Sequence, residues 1–112
     1  MCDTYCKDGK MAVLVSPGYG AGWSTWNVRE LAYNKLVVDA FLDYREGRIT
    51  EDEFKEHINY LYPNDNVYFG GFDEGLEIRW VPFGTRFYIT EYDGSESLVF
   101  PDKLTIIAGP RV

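Results

Sequence analysis

The chain has 112 residues, 46% of them hydrophobic and 26% charged, which is the size and balance of one globular domain with a single core. Eighteen acids oppose eleven Lys and Arg for a formal charge of −7, a balance that argues against long nucleic acid or an anionic membrane as partner, because both are held by tiled basic side chains. The aromatic share is 17%, enough for a dense core, a sticky face, or both.

The N-terminal stretch "MCDTYCKDGK" has neither the basic nor the apolar region of a signal peptide. Residues 1–9 therefore read as a mobile N-terminus. Cys2 and Cys6 read as two plain thiols, since C-x3-C without further ligands falls short of the four a metal site needs. No apolar run reaches the roughly 20 residues that span a bilayer, so the expectation is one cytoplasmic domain covering residues 1–112.

Met11 to Val15 is a continuous apolar run and predicts a buried strand, stopped by Ser16-Pro17-Gly18. Asn27 to Ala32 suits a short helical turn. "NKLVVDAFLDYREG" predicts a helix with Asn34 as N-cap, an apolar stripe of Leu36, Val37, Ala40, Phe41 and Tyr44, and Gly47 beyond its end. Thr50 with Glu53 forms a capping box for a second helix, whose stripe is Phe54, Ile58 and Leu61 and which Pro63 ends. The short break between the helices predicts an antiparallel pair.

After Pro63 the period becomes strand-like. "NVYFGGFDEG" reads as a loop or irregular strand, and "LEIRWVP", where Leu76, Ile78 and Trp80 alternate with Glu77 and Arg79, as a half-buried strand. "TRFYITEY" follows "PFG" at hairpin distance. Asp93-Gly94 fits a type I′ turn, and "SLVF" and "LTIIA" complete the set. The expected fold is α+β: an N-terminal strand, a two-helix antiparallel pair, then an antiparallel β-meander of about four strands packed against the helices.

Two stretches carry binding chemistry. In "SPGYGAGWSTWN", Gly18, Gly20 and Gly22 let the backbone approach a partner and turn amides toward one point, a nest suited to an anion. Tyr19, Trp23 and Trp26 offer ring faces, and Ser24 and Thr25 offer hydroxyls. A dinucleotide fingerprint fails because Trp23 stands where a third glycine belongs, and no lysine completes a phosphate loop. The alternative is a tight turn with both tryptophans in the core. In "RWVPFGTRF", Arg79 and Arg86 flank a turn and form a guanidinium pair able to fork onto phosphate or carboxylate, or else two solvated arginines paired with Glu77 and Glu91. The acidic turns around Asp73-Glu74 and Asp93 to Glu96 read as solvent-facing.

Catalysis has little support. His57, the single histidine, reads as a helix-edge packing residue, and Ser24 lies outside any nucleophile elbow. No cofactor and no metal site is expected.

Taken together, "PGYGAGWSTWN" and "LEIRWVPFGTRFYITEYDGSES" resemble a group of small acidic proteins encoded by tailed phages and prophages. The resemblance implies phage origin and a place in the host cytoplasm, as an accessory or counter-defence factor, and brings no catalytic residues with it. The resulting expectation is a non-catalytic protein that sequesters a small phosphorylated or nucleotide-like ligand at Gly18 to Gly20, Gly22 to Trp26, Arg79 and Arg86. A chain this short encloses a ligand more easily as a homo-oligomer. The alternatives are an acidic inhibitor of a host protein and a virion or assembly component.

Overall fold

The computed structural model describes residues 4–101. Its elements in order are β1 (Cys6–Lys7), β2 (Lys10–Val15), two 3₁₀ turns (Ser24–Trp26 and Arg29–Ala32), α1 (Lys35–Arg45), α2 (Glu51–Leu61), a short α3 (Gly70–Glu74), β3 (Glu77–Pro82), β4 (Tyr88–Tyr92) and β5 (Ser95–Val99). The fold is α+β with antiparallel pairing throughout.

The strands do not form one meander. β1, β2 and β3 make a three-stranded sheet with β2 in the middle, while β4 and β5 make a separate two-stranded hairpin. β3 pairs with β2 along its whole length, Leu14 opposite Ile78 and Val13 opposite Arg79. The "PFG" stretch after it is a turn that leads the chain away: Phe83 N–H donates to Gly9 O and Thr85 N–H to Pro82 O. The expected last strand, "LTIIA", lies outside the described residues.

The reason for two sheets is β2 itself. Its apolar run has no polar face to offer solvent, and Ala12, Val13, Leu14 and Val15 are all sealed. Ala12 and Leu14 face the helical side, where they join Trp23, Val37, Val38, Phe41, Phe54, Ile58 and Phe72. Val13 and Val15 face the other way with Ala32 and Val81, and the rings and chains of Phe87, Ile89, Leu98 and Phe100 cover them. The β4–β5 hairpin is thus a lid on the second face of the central strand, which needs one because apolar surface there is otherwise left in water.

Residues 4–9 are structured. Asp8 and Gly9 both have positive φ, 54° and 75°, as a two-residue type I′ hairpin requires, and β1 pairs with β2 through Cys6–Met11 and Lys7–Lys10. The reading of residues 4–9 as a mobile tail is thereby corrected. Cys6 is disulfide-bonded, which also corrects its reading as a plain thiol; Cys2 lies outside the described residues.

The helices start where local chemistry says they should. Asn34 Oδ1 accepts from Leu36 N–H at 2.8 Å and caps α1. Thr50 and Glu53 form the reciprocal capping box of α2, at 3.1 and 2.8 Å. Gly47, in the turn between them, has φ 82°. The helices pack through Phe41 and Tyr44 against Phe54, with centroids 6.4 and 6.1 Å apart. The buried stripe of α1 includes Val38, while Leu36 is exposed. "FGGFDE", read as loop or strand, contains α3. Its Phe72 stacks on Phe54 at 4.6 Å.

Candidate functional site

The amides of the glycine-rich segment do converge on an anion, and that anion belongs to the chain. The Glu96 carboxylate accepts from Ser16 N–H at 3.0 Å through Oε1. Its Oε2 accepts from Trp23 N–H at 2.9 Å, Thr25 N–H at 3.0 Å and the Thr25 hydroxyl at 2.6 Å. Glu96 is 1% exposed. The reading of Asp93 to Glu96 as wholly solvent-facing is therefore corrected at Glu96: the hairpin turns this residue inward, where three backbone amides and a hydroxyl replace water around its charge.

The rest of the hairpin turn is fitted to the same segment. Asp93 and Gly94 have φ 52° and 88°, the type I′ pair. Gly20 N–H donates to Asp93 O at 2.7 Å, Ser95 Oγ to Pro17 O at 2.7 Å, and Ser16 Oγ to Gly94 O at 3.3 Å. A side chain on Gly94 would run into the backbone of Ala21. On the opposite side a Cβ on Gly71 would lie 2.6 Å from the Gly22 carbonyl. The segment is held between the β4–β5 hairpin and α3.

Cross-strand position 91 faces 96, and two carboxylates opposite each other repel. The fold separates their partners. Exposed Glu91 accepts from Gly94 N–H at 2.8 Å and from the Trp26 indole at 3.1 Å. Those two donors, the amide first, hold its carboxyl below the ordinary value.

The ring-bearing residues part company. Trp23 is sealed, its indole N–H donating to Leu31 O at 2.9 Å and its ring beside Phe54 and Phe69. It presents no face to a ligand. Trp26 is 43% exposed and stacks on Tyr68 with centroids 6.0 Å apart. Asn27 ties the two stretches, donating from Nδ2 to Trp23 O and Tyr68 O and accepting at Oδ1 from Tyr68 N–H. Tyr19 is exposed, on the outer side of the loop where Gly18 and Gly20 lie near Glu74.

Arg79 and Arg86 do not make a guanidinium pair on one hairpin. Arg79 is on β3, half-buried, and pairs with Glu77 at 2.6 Å. Arg86 is in the connection to β4, exposed, with no acid or ring partner among the described residues. His57 is exposed on α2, in a shallow depression with Ile49, Glu53, Glu56 and Tyr60, so its reading as a packing residue is corrected. No group of three or more metal-ligating side chains occurs among the described residues, and no helix among them is long and apolar enough to cross a membrane.

The concave feature with binding character lies one step past the glycines. A groove of about 480 Å³ runs between the first 3₁₀ turns and β4, lined by Ser24, Thr25, Arg29, Tyr33, Phe87, Tyr88 and Ile89. Its volume is in the range of small-ligand sites, and a mostly apolar wall with a few polar groups is their usual composition. Arg29 is exposed and has no acid or ring partner among the described residues, whereas Arg48 and Arg79 are ion-paired and Arg45 sits over Phe41. Of the residues singled out from sequence, Ser24 and Thr25 line the groove. Arg29, Tyr33, Phe87 and Tyr88 were not singled out, and no local motif marks them; they meet because β4 packs across the 3₁₀ turns. No protein-family model matches the chain, and neither a curated protein nor a solved structure is similar to it.

Proposed function

We propose that the chain is a non-catalytic binding protein of the host cytoplasm, phage-encoded, that captures a small phosphorylated, ring-bearing ligand in the groove beside the second 3₁₀ turn. The observation that carries this reading is the pairing of an unpartnered Arg29 with the rings of Tyr33, Phe87 and Tyr88 around one concavity. A guanidinium forks onto a phosphate or carboxylate, and aromatic side chains take a planar ring. The glycine segment keeps a role that differs from the expected one. Its amides hold Glu96 rather than the ligand, and so set the positions of Ser24 and Thr25 in the groove wall.

The groove is open on one side, so a second copy closing over it accounts for capture by a chain of this size. Calorimetric titration with adenosine monophosphate tests the reading. Micromolar to millimolar binding is expected, strongly weakened in Arg29→Gln and less so in Tyr88→Ala. No binding of this nucleotide or of phenyl phosphate would end it.

A second reading, an acidic inhibitor of a basic host protein, is favoured by α2, whose exposed Glu51, Asp52, Glu53 and Glu56 follow one another along the helix. Lys55 offsets part of that charge through Glu51 and Asp73. Affinity for a basic partner falling steeply with salt supports it.

A further inference from the structure

Ser24 is 4% exposed, and its hydroxyl has no hydrogen-bond partner within the described residues. Sealed polar side-chain atoms without partners are absent among them, and Ser24 is not one of the residues with further interactions. Its Oγ therefore sits at the small opening the residue retains, and the concavity that Ser24 lines is the groove. A hydroxyl in this position, nearly enclosed and unclaimed by the protein, is an open hydrogen-bonding site.

Its neighbour differs in a way that sharpens the point. The Thr25 hydroxyl has one proton, and a carboxylate oxygen that already accepts two amide N–H groups takes it at 2.6 Å. Toward the groove Thr25 can only accept. Ser24 keeps both a proton and lone pairs to use. The groove thus has three kinds of wall: a cation at Arg29, rings at Tyr33, Phe87 and Tyr88, and hydroxyl oxygens at Ser24 and Thr25 free to accept.

Resting on the groove reading above, we infer that Ser24 is a specificity-determining residue, which selects phosphorylated planar rings that carry an exocyclic hydrogen-bonding group. The phosphate goes to Arg29, the ring to the aromatic wall, and the exocyclic group, an amine in the probe used below, to the Ser24 hydroxyl. A ligand lacking that group leaves the enclosed hydroxyl without a partner once water is displaced. Discrimination from such a site is larger than an apolar pocket provides for a group of the same size.

The test is a two-by-two titration. The probes are adenosine monophosphate and the same nucleotide without its exocyclic amine; the proteins are the native chain and Ser24→Ala. The native chain is expected to prefer the amine-bearing nucleotide by about tenfold, the scale of one enclosed hydrogen bond. Ser24→Ala is expected to reduce that preference to about twofold or less while binding the amine-free nucleotide as before. If Ser24→Ala does not fold, Ser24→Cys, which keeps the side-chain shape with a somewhat larger atom and replaces the hydroxyl with a weak donor, is read in its place.

Equal binding of both nucleotides by the native chain, or full preference retained in the variant, overturns the role of Ser24 and leaves the groove reading intact. Failure of the native chain to bind either nucleotide overturns both. Arg29→Gln separates the two further, since it is expected to weaken both nucleotides alike and preserve their ratio.

Discussion

Replacing Glu96 with glutamine leaves the heavy-atom count unchanged and alters the volume little, yet the structure predicts a large effect. The carboxylate receives four donors, Ser16 N–H on one oxygen and three on the other. A glutamine placed with its oxygen toward Trp23 and Thr25 keeps those three and sets its own NH₂ against Ser16 N–H. Turned the other way, it loses the Trp23 and Thr25 amides and keeps the Thr25 hydroxyl only as an acceptor. The better rotamer therefore leaves two enclosed donors facing each other and weakens the remaining bonds by removing the charge. Together these cost about 2–3 kcal/mol, from the scale for an unsatisfied buried donor and for charge-assisted bonds. For a domain of this size the melting temperature falls by about 8–12 °C, at about 4 °C per kcal/mol. The assay is urea unfolding followed by tryptophan fluorescence, since sealed Trp23 becomes exposed only on unfolding. Glu91→Gln, across the strand at an exposed position, is the control and is expected to lose clearly less. A Glu96→Gln variant within about 0.5 kcal/mol of the native chain would refute the reasoning, because it would mean that the convergence of amides on this carboxylate carries no stability.

Other perturbations report on the same frame. Gly94→Ala must displace the Ala21 backbone and Gly71→Ala the Gly22 carbonyl; each is expected to lose about 2 kcal/mol or more in the same unfolding assay, beyond what a surface substitution costs. Trp23→Ala removes a fully buried ring and is expected to destabilise by about 3–5 kcal/mol, seen as a lowered urea midpoint. Trp26→Ala is expected to leave the midpoint close to native. The Glu91 carboxyl is held below the ordinary value of 4.5 by Gly94 N–H and the Trp26 indole. Its stabilisation is full above that unfolded value and fades as pH falls through the lowered folded one. Glu91→Gln should therefore flatten the native chain's loss of stability in that acid range, read from urea midpoints at stepped pH.

What sequence reveals here is the chemistry of neighbours. Asn34, Gly47, the Thr50–Glu53 box and Asp93-Gly94 each act over a few residues, and each is found in its expected conformation. Asp8-Gly9 carries the same hairpin signal as Asp93-Gly94, yet the strand before it is only two residues long and the run after it is continuously apolar, so the strand-like alternation that draws attention to the second turn is missing. The partners of Glu96 are 71 to 80 residues away in the chain, and no local pattern distinguishes an acid that points inward from one that faces water. The same distance hides the pairing of β3 with β2: "LEIRWVP" alternates as a strand should, but alternation does not say which strand lies beside it. The helical stripe was legible to within one position, with Val38 buried and Leu36 exposed, because a one-residue step rotates the face by roughly 100°. As for the site, the glycine segment drew attention for a sound reason, converging amides. Its neighbours Arg29, Tyr33, Phe87 and Tyr88 became visible only through the packing of β4 over the 3₁₀ turns.

Amide nitrogen–proton correlation spectra recorded during titration with adenosine monophosphate locate binding directly. Shifts concentrated at Ser24, Thr25, Arg29, Tyr33 and Phe87 to Ile89, with Gly18 and Gly20 unmoved, are the predicted result. Shifts centred on Ser16 and Gly18 to Trp23 instead would show that the nest opens to an outside anion, and would contradict the assignment of the Ser16 and Trp23 amides to Glu96.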